Sequence, residues 1–86
     1  MVIIGKGVSY ADAATEALQF LESTNLPFLA TPMAKGTISD DHPQFVGQAR
    51  SHALKTADVI LLAGARLNWI LHFGKSPRFR PDVKII

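Results

Sequence analysis

The chain has 86 residues, of which 48% are hydrophobic and 19% charged, with a formal net charge of +2. That is the composition of one small folded domain, and it excludes a disordered segment. It contains no cysteine, which removes disulfides and thiolate metal centres, and no apolar run approaches the ~20 residues of a membrane span.

Val2-Ile3-Ile4 is a β-branched run stopped by Gly5-Lys6-Gly7, a strand followed by a glycine turn. Ser9 and Asp12 have the spacing of a capping box, and Ala14, Ala17, Leu18 and Leu21 follow at helical spacing. The pattern predicts a helix from about Tyr10 to Ser23, capped by Asn25 and ended before Pro27. Phe28-Leu29-Ala30-Thr31 reads as a second strand closed by Pro32. The stretch from Met33 to Pro43, with Gly36, Asp40-Asp41 and His42-Pro43, favours turns. Val46, Ala49, Ala53, Leu54 and Ala57 give a second helix whose small side chains allow close approach to a sheet.

Asp58-Val59-Ile60-Leu61-Leu62-Ala63-Gly64-Ala65-Arg66 is an acidic residue, an apolar run of strand length, a glycine and a cation. It reads as a strand buried on both faces in the middle of a parallel sheet, opening into a loop. Asn68 can cap a short helix through Phe73 that Gly74 ends, Ser76-Pro77 and Arg80-Pro81 mark an irregular connection, and Val83 to Ile86 begin another strand.

The order β-α-β-α-β with a further strand predicts a three-layer α/β, Rossmann-like parallel sheet with right-handed crossovers. Four strands in this length make a thin core, the expectation for part of a larger domain. In the order 2-1-3-4 the sheet reverses between the first strand and the third, so Gly5-Lys6-Gly7 and Gly64-Ala65-Arg66 face each other at the switch point, where α/β sheets bind ligands.

Two readings of Gly5-Lys6-Gly7 stand: backbone N–H groups and an ammonium cradling phosphate, or a tight turn with a solvated lysine. It is neither a dinucleotide fingerprint, which needs a small residue where Tyr10 stands, nor a P-loop. Arg66 calls for an anionic ligand or for a structural ion pair with Asp58 or Asp82, and Trp69 for packing or for stacking on a base. Lys75, Arg78, Arg80 and Lys84 form either a solvated loop or a basic rim, without the aromatic interleaving of a nucleic-acid platform. His42, His52 and His72 show no metal-ligand spacing, and no nucleophile, base and acid can be assembled. The residues describe a binding domain with no catalytic group of its own.

Gly64 to Gly74 (GARLNWILHFG), with Ile4-Gly5-Lys6-Gly7, Pro32-Met33-Ala34-Lys35-Gly36, Asp41-His42-Pro43 and Ala57-Asp58-Val59, resembles the central domain of thiamine-diphosphate (ThDP)-dependent enzymes. Within that superfamily it is most similar to the 2-hydroxyacyl-CoA lyases, with the oxalyl-CoA decarboxylases next and acetolactate synthase-like proteins further off. The resemblance spans nearly the whole chain and makes residues 1–86 part of a central domain, six-stranded when complete, between pyrimidine-binding and pyrophosphate-binding domains. It implies a homo-oligomeric parent enzyme that cleaves 2-hydroxyacyl-CoA into formyl-CoA and an aldehyde one carbon shorter, in peroxisomal fatty acid α-oxidation. ThDP and Mg²⁺ would be held outside this segment. By the same resemblance Lys6 and Arg66-Leu67-Asn68-Trp69-Ile70 match positions that contact ADP, and Gly47 and Arg50 lie on the side of the CoA thioester substrate. A middle domain that binds nothing is the alternative implication, and neither nucleic acid nor membrane is expected as a partner.

Overall fold

The computed structural model describes the backbone of residues 1–86 and every side chain except those of Trp69, Ile70 and His72. Strands β1 (Val2–Ile4), β2 (Phe28–Ala30), β3 (Val59–Ala63) and β4 (Lys84–Ile85) form one sheet in the order β2-β1-β3-β4. Every pairing is parallel, with Ile3 opposite Leu29 on one side and Leu62 on the other, and Ile60 opposite Ile85. The expected strand order and the expected switch point are both present.

Because β1 to β2 and β2 to β3 run in opposite directions across the sheet, right-handed crossovers place their helices on opposite faces. The side chains record this. Val2 and Ile4 pack with Leu21 of helix α2 (Ala14–Thr24), whereas Ile3 packs with Leu54 of helix α3 (Arg50–Thr56). Leu71 and Phe79, both fully buried, bring the β3–β4 connection onto the α3 face.

The single helix expected from Tyr10 to Ser23 is two. Helix α1 (Lys6–Tyr10) begins directly after the first strand, and Asp12, in the left-handed region at φ 54°, breaks it from α2. Ser9 therefore lies inside α1, and the N-cap of α2 is Ala13, which offers no side-chain cap. The glycine turn is itself the start of a helix, so a capping pattern read three residues downstream falls within it. Asn25 does end α2, at φ 55°, with its N–H donating to the Leu21 carbonyl at 2.9 Å.

Strand β3 is not buried on both faces. Ile60 is inaccessible, but Val59 is 39% exposed and Leu61 to Ala63 are half-buried, Leu61 and Ala63 against the α2-side core and Leu62 against the α3-side core. The second helix is shorter than its apolar pattern: a 3₁₀ turn (Gly47–Ala49) leads into α3, and Ala49 is exposed. At the other end of the sheet the segment after the long turn region covers the edge of β2. Phe28 donates to the Gln44 carbonyl and accepts from the Val46 N–H, each at 3.0 Å, in an isolated parallel bridge. The Gln44 side-chain amide bolts this segment to the end of α2 through the carbonyls of Leu21 (2.8 Å) and Leu26 (2.6 Å). The 3₁₀ helix Trp69–Gly74 follows Asn68 as expected; the Asn68 carbonyl accepts from the Leu71 and Phe73 N–H groups at 3.0 Å, and Gly74 ends the turn at φ 69°.

Gly64 combines a left-handed backbone with a close approach. Its φ is +64°, and a Cβ there would lie 2.6 Å from the Val8 nitrogen. Gly36 also has positive φ, +88°, but faces open space. Gly64→Ala is expected to destabilise the chain by about 2–4 kcal/mol, strain plus overlap, and Gly36→Ala by only about 1–2 kcal/mol. Urea denaturation of the two variants checks the difference.

Candidate functional site

The carboxyl ends of β1 and β3 are joined by backbone. The Gly5 N–H donates to the Ala63 carbonyl at 2.8 Å and the Gly7 N–H to the Gly64 carbonyl at 3.0 Å, while the Val8 N–H turns back to the Gly5 carbonyl at 3.1 Å. A Cβ on Gly5 would lie 2.3 Å from the Gly64 oxygen, so this pair of loops can close only without side chains. Of the N–H groups in this turn, those of Gly5, Gly7 and Val8 are taken by carbonyls of the protein itself. Helix α1, at five residues, adds no field of a long helix.

The side chains expected at this switch point converge. Lys6, Arg66 and Asn68 line one cleft of about 400 Å³ on top of the Gly5–Gly64 contact, together with Tyr10, Thr31 and Met33. Lys6 is exposed, and its Nζ stands 5.8 Å from the centre of the Tyr10 ring, a cation–π contact between residues one helical turn apart. Arg66 is exposed too. Neither of the ion pairs offered to it by the sequence is made: Asp82 binds Arg80 at 2.7 Å, and among the described residues Arg66 meets no carboxylate. No acidic side chain lines this cleft, so its charge is wholly positive.

Leu67 does not line the cleft; it turns toward Gly74, where a Cβ would meet its Cδ2 at 3.3 Å. The side chains of Trp69 and Ile70, the remaining two of the expected ADP-contacting set, lie outside the described residues. Lys75, Arg78, Arg80 and Lys84 line neither this cleft nor its neighbour.

Gly47 and Arg50 line that neighbour, a cleft of about 650 Å³ that shares Thr31 and Pro32 with the first as a common wall. Its charge is mixed, Lys35 and Arg50 against Asp40 and Asp41. Gly47 makes room for Phe45, whose ring would overlap any Cβ placed there. His42 is a structural residue: its Nδ1 accepts the Gln44 N–H at 3.1 Å, its ring packs edge-on against Phe28, and its Nε2 stands 3.9 Å from Glu22. Asp41 donates its N–H to the Ser39 hydroxyl at 3.1 Å, which fits the turn expected at Asp40-Asp41-His42. Among the described residues no three His, Asp or Glu side chains gather in a group that could hold a metal ion.

Sequence reasoning missed Tyr10, Thr31 and Met33. Tyr10 had a legible signal, since it follows Lys6 by four residues; Thr31 and Met33 follow β2 at the edge where its neighbours bind.

A parallel sheet with helices on both faces and a cationic cleft at its switch point defines the class of Rossmann-like α/β domains. Comparison with known proteins narrows it. Residues 1–86 match the family model of the thiamine pyrophosphate enzyme central domain, and the chain belongs to that family. It is 59% identical over all 86 residues to a 2-hydroxyacyl-CoA lyase 1 from Homo sapiens, and 57% identical over 86 to the protein of that name from Dictyostelium discoideum. It is 49% identical over 75 residues, 87% of the chain, to an oxalyl-CoA decarboxylase from Escherichia coli. The chain spans 15% of the length of those two lyases and 13% of the decarboxylase.

Since Lys6 and Arg66 are exposed, Lys6→Ala and Arg66→Ala are each expected to change the unfolding free energy by less than about 0.5 kcal/mol. Urea midpoints at constant slope check this; a loss above about 1 kcal/mol for Arg66→Ala would restore the structural reading of that residue.

Proposed function

We propose that residues 1–86 are the nucleotide-binding part of the central domain of a ThDP-dependent 2-hydroxyacyl-CoA lyase, and that the cleft above the Gly5–Gly64 contact holds a polyphosphate. The observation that carries this reading is the convergence of Lys6, Arg66 and Asn68, distant in sequence, on one wholly cationic cleft. A guanidinium and an ammonium without carboxylates in the same cleft suit a diphosphate, with Arg66 able to take two oxygens and Lys6 one. The ligand is ADP or the adenosine diphosphate end of CoA. The mixed charges around Gly47 and Arg50 suit the less charged acyl-pantetheine part of a CoA thioester. The parent enzyme cleaves 2-hydroxyacyl-CoA to formyl-CoA and a shortened aldehyde; ThDP, when bound, supplies the carbanion chemistry, and the residues of this segment bind and position only.

A second reading has an observation of its own. The close packing of Gly5 and Gly7 on Gly64 accounts for the glycines without any ligand, as in a middle domain that only spaces its neighbours.

Calorimetric titration separates the two. ADP and CoA are expected to bind and to raise the melting temperature, with Arg66→Ala weakening binding by about 10- to 100-fold and added salt weakening it further. No heat and an unmoved melting curve at millimolar nucleotide would leave the spacer reading. For the parent polypeptide, formyl-CoA and aldehyde from 2-hydroxyacyl-CoA are expected; turnover of oxalyl-CoA instead would make it a decarboxylase.

A further inference from the structure

Lys6 and Tyr10 are the first and last residues of helix α1, one turn apart. Tyr10 belongs to neither core and is 75% exposed, so packing does not account for an aromatic ring at this position. Its ring lines the cationic cleft, and the Lys6 ammonium stands 5.8 Å from the ring centre. Lys6 by itself is badly placed to wait for an anion. It is exposed, its four-carbon stem is flexible, and Arg66 lines the same cleft with like charge, so an untethered ammonium is free to turn away into solvent.

We infer that Tyr10 is a positioning residue, whose ring holds the Lys6 ammonium at the cleft it shares with Arg66, so that an incoming diphosphate meets two cations already in place. The inference rests on the polyphosphate reading of that cleft. A ring suits the task because it attracts the ammonium without cancelling it. A carboxylate at the same spacing would hold Lys6 as well, but it would neutralise the ammonium and bring negative charge to a cleft that has no acidic side chain. With the ring in that place the cleft stays wholly positive while Lys6 loses part of its freedom before the ligand arrives. The affinity gained is then an entropy saved, and it passes through Lys6 alone.

Calorimetric titration of the full-length polypeptide with ADP, at fixed low ionic strength, tests this through a double-mutant cycle. Tyr10→Leu is expected to weaken ADP binding by about 2- to 5-fold, the size of an exposed cation–π contact, and Tyr10→Phe to leave it unchanged. In a Lys6→Met background Tyr10→Leu is expected to have no effect. A loss of the same size in that background makes Tyr10 a direct contact of the ligand and overturns the inference, as does a loss in Tyr10→Phe equal to that in Tyr10→Leu. If Lys6→Met and Arg66→Ala weaken binding but Tyr10→Leu does not, the inference alone falls. If the wild-type protein takes up no ADP, or Lys6→Met and Arg66→Ala leave its affinity unchanged, the polyphosphate reading falls and the inference with it. Should Tyr10→Leu fail to fold, Tyr10→Gln removes the ring in its stead.

Discussion

The contact between the Gly5–Gly7 turn and the Gly64 backbone is the constraint from which the rest follows. Two backbone hydrogen bonds, of 2.8 and 3.0 Å, tie the ends of β1 and β3 together, and the missing side chains let helix α1 start so soon after β1. That early start fixes the position of Lys6, and the positive φ of Gly64 turns the chain so that Arg66 follows onto the same cleft. The glycines thus serve the cleft indirectly. They consume the N–H groups that a phosphate loop would offer and leave two side-chain cations above a closed floor.

Topology then divides the molecule into two cores. Val2 and Ile4 face Leu21 and Phe28, whereas Ile3 faces Leu54, Ile60, Leu71 and Phe79, so β1 alternates between the cores residue by residue. A one-residue slip of β1 would exchange the two sets, which is why so short a strand, three residues, can have a single register. The reversal of strand order beside β1 does two things at once. It opens the crevice at the carboxyl edge, and it puts α3 and the β3–β4 connection on the face opposite α2.

Much of this was legible in the sequence because it depended on local chemistry. Strands of β-branched and leucine residues, Asn25 and Gly74 at helix ends, and Pro32 after β2 each act within a few residues, and each appears where the pattern put it. What was not legible depended on contacts across the sheet. Lys6 sits in a helix rather than a loop because Gly64 approaches Gly5, a partner 59 positions away in the numbering of the chain. Likewise nothing near Gln44 announces that its amide will reach the carbonyls of Leu21 and Leu26. For the site, the pairing of Lys6 with Arg66 followed from strand order alone, whereas Leu67, adjacent in sequence to Arg66, turns away because the backbone after a strand no longer alternates about the sheet.

The comparisons add identity of family and not identity of ligand, and the structure shows why. Residues that build the sheet and close the Gly5–Gly64 contact, with the buried Leu71 and Phe79, hold this fold whatever the chain binds. Lys6 and Arg66 are different in kind: both are exposed, and neither fills a core or meets a carboxylate among the described residues. Two like charges lining one cleft repel each other in the empty state, by up to about 1 kcal/mol at close range in water, and an anion between them turns that repulsion into attraction. That arrangement supports the polyphosphate reading over the spacer reading. The weight of the functional reading therefore falls on the absence of acids from the first cleft and their presence, as Asp40 and Asp41, in the second.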